Sequence, residues 1–69
     1  MDKALARKII EDVRSLDMLL NEIDAQLRQI QEDAERIPLL RSLAQVIGEL
    51  DSGIVRPIAR KYPDLDPDK

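Results

Sequence analysis

Sixty-nine residues, 14 acidic and 11 basic for a net charge of −3, with neither cysteine nor histidine, set narrow limits on this chain. A protein of this size hides only about 60% of the surface its unfolded form exposes, so a single small domain of marginal lone stability is expected. No disulfide can form and a zinc centre lacks its usual ligands, which leaves association with another chain as the natural support.

The first element is a long amphipathic helix. Asp2 has the side chain of an N-cap, able to accept from the open backbone N–H groups of a first turn, and no Gly or Pro follows until Pro38. Ala6, Val13, Leu20, Leu27 and Ala34 form one apolar column, and Ile9, Leu16, Ile23, Ile30 and Ile37 form the other. Residues three and four apart share one helix face, so this pattern predicts a seam that packs on another helix. A helix over 3–36 is expected, about 50 Å long at 1.5 Å per residue. Asp24, Arg28, Glu32 and Arg36 make an alternating charge ladder on its outer face, read as a solvated surface.

Pro38 should end that helix, because proline disfavours helical geometry at the residue before it and cannot donate a hydrogen bond. The apolar phase also jumps there by one residue, restarting as Leu40, Ile47 and Ile54 with Leu43 and Leu50. A second helix is expected over 38–51, with Pro38 in its first turn. Asp51-Ser52-Gly53 predicts a break or strong kink, with Gly53 as a left-handed cap, because the ring of Pro57 crowds the carbonyl four residues back. A short third helix or kinked extension over 54–61 follows. Residues 1–62 then form one domain, and 63–69, with two prolines and three aspartates, an extended mobile tail.

Helices joined by a short connection pack antiparallel, which makes the fold class all-α, an antiparallel helical hairpin. Its interface is expected to use Leu5, Ile9, Ile10, Val13, Leu16, Leu19, Leu20, Ile23, Leu27 and Ile30 of the first helix with Leu40, Leu43, Ile47 and Leu50 of the second. Met18, Leu39, Val46 and Ile58 widen the apolar surface beyond what one neighbour can cover. Self-association into a helical bundle is therefore expected, a homodimer first, with one other protein as the alternative partner. Parallel pairing of first helices is disfavoured, since Asp12, Asp17, Asp24 and Asp33 flank the seam and no basic residue does. Leu20→Asp or Ile23→Asp should unfold or dissociate such a protein.

Chemistry is hard to find. Without His or Cys the usual neutral-pH base and the strongest nucleophile are absent, and the pairs Glu11/Asp12 and Glu32/Asp33 with Glu35 lie outside the seam, so no catalytic residue, metal or cofactor is assigned. Tyr62 is the sole aromatic, which leaves no platform for stacking bases. An antiparallel hairpin brings Lys3, Arg7 and Lys8 towards Arg56, Arg60 and Lys61, but Asp2, Glu11, Asp12 and Asp64 share that end and offset it. Nucleic acid is thus an unfavoured partner. The stretch 54–65 is the candidate partner surface, through Ile54, Arg56, Ile58, Arg60, Lys61, Tyr62 and Leu65; the competing reading is that Ile54, Ile58 and Tyr62 cover the open end of the bundle. No apolar run approaches the ~20 residues that span a bilayer, and Met1-Asp2-Lys3-Ala4 leads straight into mixed charge, so a cytoplasmic protein without membrane contact is expected. The functional expectation is a small non-catalytic protein-interaction or oligomerisation module. Its alternatives are an inhibitor or chaperone-like partner of another protein, of the antitoxin or secretion-chaperone kind, and a weak nucleic-acid binder.

Overall fold

A computed structural model describes residues 1–65. Helix α1 runs over Lys3–Arg28 and helix α2 over Asp33–Leu50; a π-helical turn, Asp51–Val55, joins α2 to α3, Arg56–Lys61, and a 3-10 turn, Pro63–Leu65, follows. The described residues contain no strand. α1 and α2 pack against each other, and the Tyr62 hydroxyl donates to the Met1 carbonyl at 2.7 Å, which brings the two ends of the chain together. The fold is an all-α antiparallel hairpin, 46 × 20 × 17 Å.

α1 begins as its first residues dictate. The Asp2 carboxylate accepts from the Leu5 N–H at 2.8 Å, the N-cap expected of it. Its end differs from expectation. The helix stops at Arg28 rather than near residue 36, without a glycine or proline to mark the place, and the Gln29 and Ile30 N–H groups close it by bonding Gln26 and Leu27 carbonyls at 3.1 Å. Arm length explains the position. A turn at 29–32 divides the chain into one arm of 26 residues and another running from 33 to 61, so the two are nearly equal in length. A turn at Pro38 would leave the end of a longer first arm without a neighbour.

Arg36 makes this turn, and the outer ladder does not extend to it. Its guanidinium donates to the Ile30 carbonyl at 2.9 Å and the Gln31 carbonyl at 3.4 Å, and pairs with the Asp33 carboxylate. Glu32, the N-cap of α2, offers no side-chain cap, so Arg36 satisfies carbonyls in a bend that has no Gly or Asn. Of the ladder, Asp24 and Arg28 pair at 2.8 Å. Pro38 falls inside α2 rather than at its start. Only the Ala34 carbonyl loses its helical donor there, and Asp33 and Glu35 in the first turn favour the positive end of the helix.

The predicted discontinuity after Asp51 is present in another form. No residue described has a positive φ, so Gly53 is not a left-handed cap. The chain stays helical and widens, the Arg56 N–H bonding the Asp51 carbonyl five residues back. A wider turn at this place eases the clash of the Pro57 ring with the preceding carbonyls. It also advances the register by one residue. Continuing the spacing of Leu43, Ile47 and Leu50 would bring Ile54 and Lys61 inward; instead Val55 and Ile58 are buried, and Ile54 is 38% exposed.

The core lies at one end. Ala6, Ile10 and Ile58 are buried together, with Ile9, Tyr62 and Leu65 packed against them. Leu65 is held by its N–H bond to the Tyr62 carbonyl at 2.9 Å, and Asp64 pairs with Lys3. The first three residues of the expected tail therefore belong to the fold; the remainder, 66–69, lies outside the described residues. α2, by contrast, has no buried residue. The hairpin is closed where its termini meet and open towards its turn.

Candidate interaction surface

Antiparallel packing sorts the apolar side chains of each arm into those turned to the other arm and those turned to one side of the pair. Val13, Leu20, Leu27, Leu40, Leu43 and Leu50 lie half-buried along the junction. Arg14 and Asp17 of α1 with Ile47, Gly48 and Asp51 of the second arm line a groove on one side of it. Helical spacing then places Leu16, Leu19 and Ile23 on the opposite side of α1, and Leu39 and Val46 on that same side of α2. These five are 41, 56, 42, 46 and 50% exposed. They form a continuous apolar face over the open half of the hairpin, and Ser15, Gln26 and Ser42 are polar positions along it without charge.

Carboxylates border this face, Asp12 four residues before Leu16, Glu22 three after Leu19, Glu35 four before Leu39 and Glu49 three after Val46, all exposed; several charges pair locally. Lys8 pairs with Asp12 at 3.0 Å, and that hydrogen bond holds its ammonium pKa above the ordinary lysine value. Arg28 is likewise raised, first by its bond to Asp24. The hydrogen bond from Lys3 holds the Asp64 carboxyl below the usual carboxylate range. Arg56 reaches back to Asp51 at 2.8 Å across the π-helical turn. Of the six basic residues expected at the terminal end, Lys3, Lys8 and Arg56 thus each face a carboxylate. Lys61 lies 5.8 Å from the Tyr62 ring centre.

The residues singled out from the sequence divide in a definite way. Ile10 is buried and Ile9, Ile30 and the junction residues are half-buried, whereas Leu5, Leu16, Leu19, Ile23 and Ile47 stand exposed. In the candidate partner surface, Ile58 is turned inward, and Tyr62 and Leu65 pack on the same cluster. Those three cover the end of the hairpin itself; of the residues in the competing reading Ile58 and Tyr62 are among them, whereas Ile54 stands on the outside with Arg56, Arg60 and Lys61. Val55 is the core residue absent from the sequence-derived set, because its burial depends on the π-helical register. Arg36 was likewise placed on the solvated ladder; its position six residues after Ile30 carries no sequence signal for a turn.

No described helix is long and apolar enough to cross a membrane. The structure thus defines a class, the small antiparallel helical hairpin with one uncovered apolar face. Comparison with protein-family models, curated proteins and solved structures gave no match.

Proposed function

We propose that this chain is a non-catalytic helical interaction module, whose open apolar face is covered by helices of a protein partner in its working state. The observation that carries this reading is the lopsided core: α2 spans 18 residues without burying one, while Leu16, Leu19, Ile23, Leu39 and Val46 face solvent together. Fully burying an aliphatic side chain is worth about 1.5–3 kcal/mol, and with roughly half of each of these five still in water, covering them would add a few kcal/mol, a sizeable part of the 5–15 kcal/mol of a whole domain. Sequence supports the non-catalytic part, since neither histidine nor cysteine is present. The pairing of Lys3, Lys8 and Arg56 with carboxylates favours protein over nucleic acid as the partner.

The test uses the full chain at high dilution. Thermal unfolding by circular dichroism should be broad and low, and an environment-sensitive apolar dye should bind. Leu19→Glu with Val46→Glu should abolish dye binding while helix content stays. A dilute chain that melts sharply at high temperature and binds no dye overturns the reading.

A further inference from the structure

We infer that the occupant of the open face is an amphipathic helix of a different protein, whose apolar stripe is flanked on both sides by lysine or arginine. The inference rests on the module reading above and adds the chemistry of the partner.

The first argument is the charge along the border of the face. Glu35 and Glu49 succeed one another along the outer edge of α2, and Glu22 stands on the outer edge of α1. All three are exposed, and among the described residues no cation pairs with them. The cations that could answer them are engaged elsewhere. Lys8 faces Asp12 and Arg56 faces Asp51, while Arg28 and Arg36 bind Asp24 and Asp33. Arg41, two residues on from Leu39, lies on the opposite side of α2 from the face.

The second argument is where the acid is concentrated. Residues 15–50 hold seven carboxylates against three arginines, so the half of the hairpin left apolar is also its acidic half. An apolar face takes up a helix through its stripe, and the charges on the rim select which helix by meeting the opposite charge on its flanks. A second copy would bring its own carboxylates to this rim. A helix with basic flanks neutralises the three glutamates and covers the stripe in one contact.

Spacing sets the length of that helix. Glu35 and Glu49 stand about 21 Å apart along the axis at 1.5 Å per residue, so a helix that reaches both lies beside most of α2, which has 18 residues. Seated over the junction, it turns its stripe to Leu19 and Ile23 on one side and to Leu39 and Val46 on the other. Its flanks then lie beside Glu22 and beside Glu35 and Glu49.

Three synthetic helical peptides of about 18 residues test this against the full chain. The first carries a leucine stripe flanked by lysines, the second has glutamate for every lysine, and the third is the first with its order scrambled so that no stripe forms. The chain has no tryptophan, so one tryptophan in each peptide reports binding by fluorescence. The lysine peptide is expected to bind about tenfold or more tightly than either of the others. Glu22→Lys, Glu35→Lys and Glu49→Lys together should reverse the preference towards the glutamate peptide, with helix content unchanged because all three are on the surface. Leu19→Gln, which brings no charge, should weaken the lysine peptide severalfold. Dye binding by the chain without a preference for the lysine peptide overturns the basic-partner inference and leaves the module reading standing. A preference that survives the triple reversal puts the peptide elsewhere on the molecule and overturns it as well. A chain that dimerises in sedimentation equilibrium and excludes dye and lysine peptide alike gives the face to a second copy, which is the third overturning result.

Discussion

At the scale of single residues, the contacts that fix this hairpin are those that bridge its two ends. The Tyr62 hydroxyl reaches the Met1 carbonyl across 61 positions of sequence, at 2.7 Å. Tyr62→Phe should keep the ring in the terminal cluster and remove this one bond, costing about 0.5–1 kcal/mol by thermal unfolding; no change would mean that the bond adds nothing beyond the packing of the ring. Beside it, Lys3 lowers the pKa of Asp64 through its hydrogen bond. A carboxyl whose pKa is lower in the folded state contributes stability above its unfolded pKa, about 3.9, and loses that contribution as pH falls through the lower folded value. Carboxyl chemical shifts followed by NMR should therefore give Asp64 a midpoint below the ordinary value, and Lys3→Met should raise it. A midpoint at or above the ordinary value in the unaltered protein would remove the pair from the account. Asp2 was readable as a cap from the sequence because capping needs only local chemistry. Arg36 was not, because its partners are carbonyls of a bend whose position is set by the pairing of the arms.

At the scale of elements, two departures from local punctuation have one cause. Proline and glycine mark places where a helix is weak, but the packing of one arm on the other decides where it ends. Thus α1 stops where the arms are nearly equal in length, and α2 passes through Pro38. The helical class and hairpin were legible in the heptad columns, since periodicity reports which face is apolar. The register beyond Leu50 was not legible, because it depends on one extra residue absorbed in Asp51–Val55. That register can be measured. Val55→Ala should cost about 2 kcal/mol, whereas Ile54→Ala, though it removes more carbon, should cost less than about 1 kcal/mol, as Val55 is 8% exposed and Ile54 38%. The reverse order would mean a regular α-helix through this region. Gly48 also lies in mid-helix, and a methyl group added there meets nothing within 4 Å. Gly48→Ala should raise stability by about 0.5–1 kcal/mol from helix propensity. Because Gly48 lies on the groove side, the mass in solution should not change.

For the whole molecule, the sequence reading treated the seam as uniform, so that a charge at Leu20 or at Ile23 should do the same harm. The structure separates them. Leu20 is half-buried at the junction of the arms, while Ile23 is 42% exposed on the open face. Leu20→Asp puts a charge between α1 and α2 and should cost about 2–4 kcal/mol, enough to erase much of the helix signal of a marginal domain at any concentration. Ile23→Asp puts the same charge where only a partner would bury it. The dilute chain should keep its helix content, losing less than about 1 kcal/mol. Circular dichroism melts of the two variants at high dilution resolve the two effects, because only the charge placed between the arms weakens the hairpin itself. If Ile23→Asp unfolded the dilute chain as Leu20→Asp does, Ile23 would belong to the hairpin's own core. The open face would then be narrower than the exposed residues indicate.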